Sequence, residues 1–192
     1  VAFIARAPQP ERVLPVFAVV TALTGPVAYA ASRCQAMIVA FAGPADVNRK
    51  LNRFVVAVGL VAGLLPLISI LPGIGAFYYT GLQQISASDR SLVHVTVLAL
   101  LPLPLLTALR AAAEGKAAVT RKPGAVMTGE TAFLLVAVAA SFAALSLGAP
   151  GVYVGPAGLL AGNVAALVVI LALVRRAARR RRAEASARRE TD

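Results

Sequence analysis

The chain has 192 residues, of which 59% are hydrophobic and only 14% are charged, with a formal net charge of +11. A soluble domain of this size keeps about a quarter of its residues charged, so the composition excludes an ordinary soluble globular domain. A mean hydropathy of +0.79 and long apolar blocks predict an all-α, polytopic membrane helix bundle. The cations collect in loops and a tail, so we attribute the charge to membrane topology and expect no nucleic-acid partner.

Five apolar runs are each near the length needed to cross about 30 Å of hydrocarbon. The predicted spans are residues 13–41, 54–77, 92–109, 127–147 and 152–174. An irregular N-terminal segment, residues 1–12, precedes them, and its first residues resemble the end of an earlier, missing helix. A basic tail, residues 175–192, follows the last span.

The charges of the connections predict the orientation of the chain. The loops after the first and third spans and the tail are cationic, whereas the connections after the second and fourth spans carry no net charge. Cytoplasmic loops carry an excess of Lys and Arg. We therefore expect an integral protein of the cytoplasmic (plasma or inner) membrane with a cytoplasmic C-terminus, in which residues 107–131 form a short basic hairpin loop between the third and fourth spans.

Prolines and a Gly-Pro pair predict bends inside the spans, since proline removes a backbone donor and clashes with the preceding turn. The candidate hinge residues are Gly25, Pro26, Pro66, Pro102 and Pro104. Beyond the second span, residues 74–84 are expected to form a short interfacial segment.

Two charged residues inside or just within the spans are candidate site residues. Arg33 lies about eight residues before the end of the first span, roughly 12 Å along a helix. It either snorkels to the headgroups or lines a cavity and contacts an anionic substrate or a carboxylate. Glu130 either complements the helix N-terminus of the fourth span or couples transport to protons. Both lie in the same predicted leaflet, so a salt bridge between Arg33 and Glu130 is a hypothesis.

Two uncharged polar residues complete the candidate substrate or cavity residues, which are Arg33, Gln35, Glu130 and Asn163. Gln35 adds polarity beside Arg33. Asn163, midway along the fifth span, is of a type that more often bonds to a neighbouring helix than to a substrate. For the glycines at 155, 158 and 162, close helix packing is the simpler interpretation.

Enzyme chemistry is poorly represented in the sequence. The chain has three aspartates, one histidine and one cysteine, Cys34. These form no paired-aspartate motif, no metal-ligand pattern and no usual nucleophile and base set. We therefore expect no enzyme, no catalytic residue, no metal and no cofactor. The tail is expected to touch anionic lipid headgroups through Arg175, Arg176, Arg179, Arg180, Arg181 and Arg182.

Three stretches carry a resemblance to a known superfamily. ARAPQPERVLPVF at residues 5–17 is similar to a proline-bearing loop that enters the second helix of a six-helix half. AGPADVNRKLNRF at residues 42–54 is similar to the link between the second and third helices. Residues 105–131 are similar to the basic link between the fourth and fifth helices, at the positions Arg110, Gly115, Arg121, Lys122 and Pro123. Together they resemble the multidrug/oligosaccharidyl-lipid/polysaccharide (MOP) flippase superfamily, in its MATE-like, progressive ankylosis-like branch.

The resemblance implies a C-terminal half of a secondary transporter of flippase or exporter type. Such a protein moves an amphiphilic, anionic or lipid-linked solute by alternating access, driven by a coupling ion, H⁺ or Na⁺. Its partner is an N-terminal half in cis or a second subunit. The alternative function is a non-transporting membrane scaffold, or a subunit of a larger complex, held by the arginine-rich tail.

Overall fold

The computed structural model describes the backbone of residues 2–191 and the side chains of residues 2–179. Every regular element in that part is helical, and it contains no strand. The α-helices are α1 Pro10–Ser32, α2 Cys34–Phe41, α3 Ala45–Leu64, α4 Arg90–Leu100, α5 Leu103–Val119, α6 Pro123–Ser146 and α7 Gly151–Thr191. Short 3-10 turns occur at Ile4–Arg6, Leu65–Ile70 and Ala87–Asp89, and a π-helical turn occurs at Ala76–Leu82.

In the described part of the chain, five helical segments are long and apolar enough to cross a membrane. They are Pro10–Phe41, Ala45–Ile70, Ala87–Val119, Pro123–Ser146 and Gly151–Arg179. The predicted all-α membrane helix bundle with five spans is therefore confirmed, and the chain is that of an integral membrane protein. The connections after α2, α5 and α6 are short, which makes the joined spans antiparallel neighbours.

The first span breaks at Arg33, between α1 and α2, although no proline lies there. The Ser32 hydroxyl donates to the Tyr29 carbonyl at 2.6 Å, and the Arg33 N–H bonds to the Ala30 carbonyl at 3.1 Å. A hydroxyl that binds a helix carbonyl and a bond to the third residue back both tighten the last turn. α1 itself continues through Pro26, so the hinge role of Gly25-Pro26 stays a prediction.

The predicted break at Pro66 is confirmed. α3 ends at Leu64, and Pro66 lies in the first turn of the 3-10 segment that follows. The π-helical turn then lies within the predicted interfacial segment, residues 74–84, and its Tyr79 is buried. The hydroxyl groups of Tyr79 and Ser69 lie 2.8 Å apart. Burial raises the pKa of Tyr79 above its ordinary value.

The third span breaks at the predicted prolines. α4 ends at Leu100, Pro102 immediately precedes α5, and Pro104 lies in the first turn of α5. Proline is tolerated at the start of a helix because the N–H that it lacks has no partner there. The N-terminal and C-terminal halves of this span are therefore separate helices joined at Leu101 and Pro102.

The C-terminal half of the third span, α5, lies at the centre of the bundle, in contact with α1, α2, α3, α6 and α7. Small residues allow these contacts. A Cβ atom on Gly59 of α3 would lie 2.9 Å from the Leu105 Cα, and one on Gly115 of α5 would lie 2.8 Å from the Gln35 carbonyl oxygen. Close approach through small side chains is how helices associate in lipid, where the hydrophobic drive is absent.

The last two helices, α6 and α7, form a hairpin in which glycines again permit close packing. A Cβ atom on Gly158 would lie 2.9 Å from the Ala137 carbonyl oxygen, and one on Gly162 would lie 2.9 Å from the Phe133 carbonyl oxygen. The packing interpretation of these two glycines is confirmed. Of the five spans, α6 has the smallest buried share.

Two segments predicted as loops are helical, and these predictions were wrong. Residues 45–53 form the first turns of α3, and α5 extends to Val119, ten residues beyond the predicted end of its span. The predicted basic hairpin, residues 107–131, is non-helical only at residues 120–122. The alanine-rich sequence after Leu109 favours helix, and this preference outweighs the interruption of the apolar run by charges.

Candidate membrane-embedded site

Arg33 lies at the junction of α1 and α2, on the outside of the bundle. Its guanidinium donates a hydrogen bond to the Tyr29 hydroxyl one turn earlier, and its central carbon lies 4.8 Å from the centre of the Tyr29 ring. Among the described residues no acceptor bonds to its Nε or Nη1 atoms. The ring therefore orients the cation, while most of its five N–H donors remain available to an anionic group.

Apart from Tyr29, the outward face of α1 that leads to Arg33 carries small side chains. Its exposed positions include Ala18, Ala22 and Pro26. Within α1, which lies wholly in the described part, Tyr29 is the only large hydrophobic residue that is exposed, at 62%. An open groove of about 690 Å³ follows this face, lined by Leu14, Pro15, Phe17, Ala18, Thr21 and Ala22. A helix surface of this kind leaves room for a ligand or a second layer of helices to approach the backbone.

A second groove, of about 370 Å³, lies where the second span breaks. Its apolar walls include Leu23 and Val27 of α1, and Pro66 and Phe77 from the segments after α3. Val27 and Arg33 are six residues apart, so they lie roughly 120° apart around the helix axis. The apolar groove and the cation are therefore distinct surfaces of the same span.

Arg110 forms the most connected ionic cluster in the described part, between α5 and α6. Its Nε atom donates to Glu114 on the same helix at 2.9 Å, and its Nη2 atom donates to Glu130 on α6. The guanidinium carbon lies 4.9 Å from the centre of the Phe133 ring. The side chains of Arg110 and Glu114 are each 14% exposed, whereas Glu130 is 47% exposed. The cluster joins α6 to the central helix.

The hypothetical salt bridge between Arg33 and Glu130 is contradicted, because Glu130 pairs with Arg110 and Arg33 bonds to Tyr29. Arg110 was not among the predicted site residues, because residues 107–131 were assigned to a loop. The Arg110 and Glu114 spacing of four residues is itself a helical ion-pair signal and could have identified it.

The four predicted cavity residues are not brought together. Gln35 is exposed two residues beyond Arg33, roughly 200° further around a helix. Asn163 is buried, with its amide donating to the Leu159 carbonyl one turn back on its own helix at 2.8 Å. Of the four, Arg33 alone combines exposure, positive charge and a helix break.

A second ion pair between separate elements lies at the opposite end of the bundle. Arg12 at the start of α1 pairs with Asp89, which directly precedes α4. The third span is thus tied to α1 at one end and to α6 at the other.

The tail is described in part. Arg175, Arg176 and Arg179 are exposed, while the side chains of Arg180, Arg181 and Arg182 lie outside the described residues. No group of three or more His, Cys, Asp or Glu side chains in the described part is arranged to hold a metal ion. Comparisons of the chain with family models, curated proteins and solved structures find no match.

Proposed function

We propose that this chain is part of a secondary transporter of flippase or exporter type. In this proposal it moves an amphiphilic, anionic or lipid-linked solute by alternating access, coupled to H⁺ or Na⁺. The observation that carries the proposal is the outward face of α1, where small side chains lead to an exposed Arg33 at a helix break.

The contrast with α6 explains why this face is unusual for a surface that contacts only lipid. Exposed positions on α6 carry large apolar side chains, among them Leu134, Leu135 and Phe142. Hydrocarbon favours such a surface, whereas an unpaired arginine within a span costs a few kcal/mol unless it reaches water, a headgroup or an anion. The α1 face therefore suits a wet cavity that is completed by a second half, in cis or as another subunit.

The interrupted spans support the same proposal. Three of the five spans are broken, at Arg33, after Leu64 and at Pro102. The backbone at Arg33, Leu65 and Pro102 keeps right-handed helical dihedral angles, so these breaks are local changes of hydrogen bonding, and discontinuous helices form the substrate and ion sites of many transporters.

We further propose that the basic end of the bundle faces the cytoplasm. Lys116, Arg121 and Lys122 lie where α5 ends and α6 begins. Arg175 and Arg176, at the end of the fifth span, lie at the same end of the bundle. The positive-inside bias supports this orientation in the plasma or inner membrane. Arg175, Arg176 and Arg179 would then contact anionic headgroups.

The proposal is tested first by the water accessibility of the α1 face. Cys34 is the single cysteine of the chain, so Cys34→Ala provides a thiol-free background. In intact membranes that contain the folded protein, Ala22→Cys on α1 should react with a charged, water-soluble maleimide. The matched variant Leu135→Cys, on the exposed apolar face of α6, should not react.

Transport then tests the role of the cation. Arg33→Gln should reduce efflux or flipping of an anionic amphiphile at least tenfold, Arg33→Lys should reduce it less, and Arg49→Gln in the first turns of α3 should leave it unchanged. If Ala22→Cys is as unreactive as Leu135→Cys and Arg33→Gln is silent, the transporter proposal fails. That pair of results favours the alternative, a membrane scaffold or subunit.

A further inference from the structure

A cleft of about 330 Å³ opens between the start of α1 and the connection that precedes α4, at the end of the bundle opposite the basic end. Its lining is polar at Glu11, Arg12, Gln84 and Asp89 and apolar at Val19. The first span begins at Pro10, so Glu11 lies at the membrane surface and Val19 lies roughly 12 Å further along the helix. The cleft therefore changes from polar to apolar along α1, as a phospholipid does below its headgroup.

The ion pair in this cleft leaves one carboxylate oxygen available. Arg12 donates to Asp89 from its Nε atom, at 2.7 Å, and from its Nη2 atom, and both bonds end on Oδ1. Asp89 is only 9% exposed, and its Oδ2 atom accepts no hydrogen bond from the described residues. No fully buried side-chain oxygen in the described part lacks a partner, so Oδ2 is accessible from the cleft. Asp89 thus presents an acceptor to a bound group.

Glu11 supplies a second acceptor, and its charge is not compensated. Its side chain is exposed and forms no hydrogen bond or ion pair with any described residue. The side-chain amides of Gln83 and Gln84, which also line the cleft, have no bonded partner in the described part either. Because Arg12 and Asp89 neutralise each other, the remaining charge of the cleft is that of Glu11. The cleft therefore favours a cationic group.

Arg12 retains hydrogen-bond donors for an anionic group beside these acceptors. Its Nη1 atom makes one long bond, of 3.4 Å, to the side chain of Gln9, and its own side chain is 41% exposed. Guanidinium groups bind phosphate oxygens through charge-assisted hydrogen bonds. A guanidinium with free donors beside two carboxylates is complementary to a zwitterion whose phosphate and ammonium groups are a few bonds apart.

The lining also distinguishes between types of ammonium group. A primary ammonium carries three N–H donors, which match the carboxylate of Glu11, the Oδ2 atom of Asp89 and the amide carbonyl of Gln84. A quaternary ammonium has no N–H donor and is recognised by aromatic rings. The described residues that line the cleft include no aromatic ring. The cleft therefore suits a primary ammonium and not a quaternary one.

We propose that this cleft binds the headgroup of an ethanolamine phospholipid. The ammonium group contacts Glu11 and Asp89, the phosphate contacts Arg12, and the acyl chains pass Val19 toward the centre of the bilayer. The inference does not depend on the transport function proposed above. It is also separate from the contact of the arginines with anionic headgroups, which lies at the other end of the bundle.

The test is thermal unfolding of the folded protein in a neutral detergent, with added phosphatidylethanolamine, phosphatidylcholine, phosphatidylglycerol or soluble phosphoethanolamine. Phosphatidylethanolamine at about 100 times its Kd should raise the Tm of the wild-type protein by about 5–10 °C. Phosphatidylcholine at the same concentration should give less than half of that shift, because its ammonium has no N–H donor. Phosphoethanolamine should also give less than half, because it has no acyl chains.

Glu11→Gln removes the uncompensated charge and should lose more than half of the phosphatidylethanolamine shift. Without lipid this variant should unfold within about 1–2 °C of the wild-type protein, since Glu11 has no partner among the described residues. The matched control is Asp46→Asn, which replaces an exposed acid in the first turn of α3 and should retain the shift. Asp89→Asn keeps an acceptor for Arg12 and should lose a similar part, which tests the site if Glu11→Gln does not fold.

Four results would overturn the proposal. Equal shifts by phosphatidylethanolamine and phosphatidylcholine would exclude recognition of the primary ammonium. An undiminished phosphatidylethanolamine shift in both Glu11→Gln and Asp89→Asn would place the lipid elsewhere. A shift by phosphoethanolamine as large as that by the lipid would assign the cleft to a soluble amine. Phosphatidylglycerol should act at the basic end, so an equal loss of its shift in Glu11→Gln would show that the cleft does not select ethanolamine.

Discussion

Arg33 and Arg110 each lie within an apolar span, but the protein surrounds them differently. Arg110 holds two carboxylates and an aromatic ring, and its side chain is mostly buried between α5 and α6. Arg33 contacts one side chain, that of Tyr29, on the outside of the bundle. An arginine whose charge is already compensated joins helices, whereas one without a carboxylate partner remains able to bind an anion. Arg110 therefore has a structural role, and Arg33 is the residue that we propose to bind a ligand.

The largest expected effect is on the free energy of unfolding, which should differ between substitutions of Arg110 and of Arg33. Arg110→Ala would leave the buried Glu114 carboxylate without its partner, which should lower the free energy of unfolding by about 1.5–3 kcal/mol. Arg33→Ala should lower it by about 0.5 kcal/mol or less, since only an exposed cation–π contact and one exposed hydrogen bond are lost. Chemical denaturation in detergent measures both, and equal losses would invalidate the comparison.

A smaller effect on the free energy of unfolding is expected when Glu130, the α6 residue of the Arg110 cluster, is substituted. Glu130→Gln keeps a hydrogen-bond acceptor for Arg110 but removes one charge, and Glu130 is half-exposed. We expect a loss of about 0.5–1.5 kcal/mol, less than for Arg110→Ala. The matched control is Glu11→Gln, at an exposed position of α1, which should change stability by no more than about 0.5 kcal/mol. A Glu130→Gln loss as large as that of Arg110→Ala would show that Glu114 contributes little.

The smallest effect is expected at Tyr29. Tyr29→Phe keeps the ring below Arg33 but removes the hydroxyl acceptor, so stability should change by no more than about 0.5 kcal/mol. Binding of an anionic amphiphile by Arg33 should persist, because the ring still orients the guanidinium. Tyr29→Leu removes the ring as well and should weaken that binding, as measured by titration with a fluorescent amphiphile. Equal binding by both variants would show that the ring does not position Arg33.

Hydropathy and length predicted the five spans because those signals are averaged over some twenty residues and tolerate local errors. They failed at the ends of the helices. Charges at Arg110 and Lys116 interrupted the apolar run and shortened the third span, although the helix continues. The proline breaks at Pro66 and Pro102 were predictable, since a missing backbone donor acts locally.

The break at Arg33 was not predictable in the same way. No proline or glycine lies at Ser32 or Arg33, and the bond from the Ser32 hydroxyl to the Tyr29 carbonyl is of a kind that Thr21 also makes where α1 is unbroken. The sequence did not specify the ion-pair partner of Glu130, for a related reason. Its partner depends on which helix α6 packs against, and that contact is set by the small residues of α5 and α7 rather than by the charges.

The turn between α5 and α6 has a consequence for proteolysis. It contains adjacent basic residues, Arg121 and Lys122. Trypsin cleaves readily after a residue such as Arg121 in a flexible loop, whereas Pro123 protects the bond after Lys122. Here only residues 120–122 are non-helical, and Arg121 has a left-handed backbone with a φ of 55°. A protease requires several extended residues around the bond that it cuts, and helices bound this turn on both sides. The folded protein should therefore resist trypsin at a position where its sequence invites cleavage.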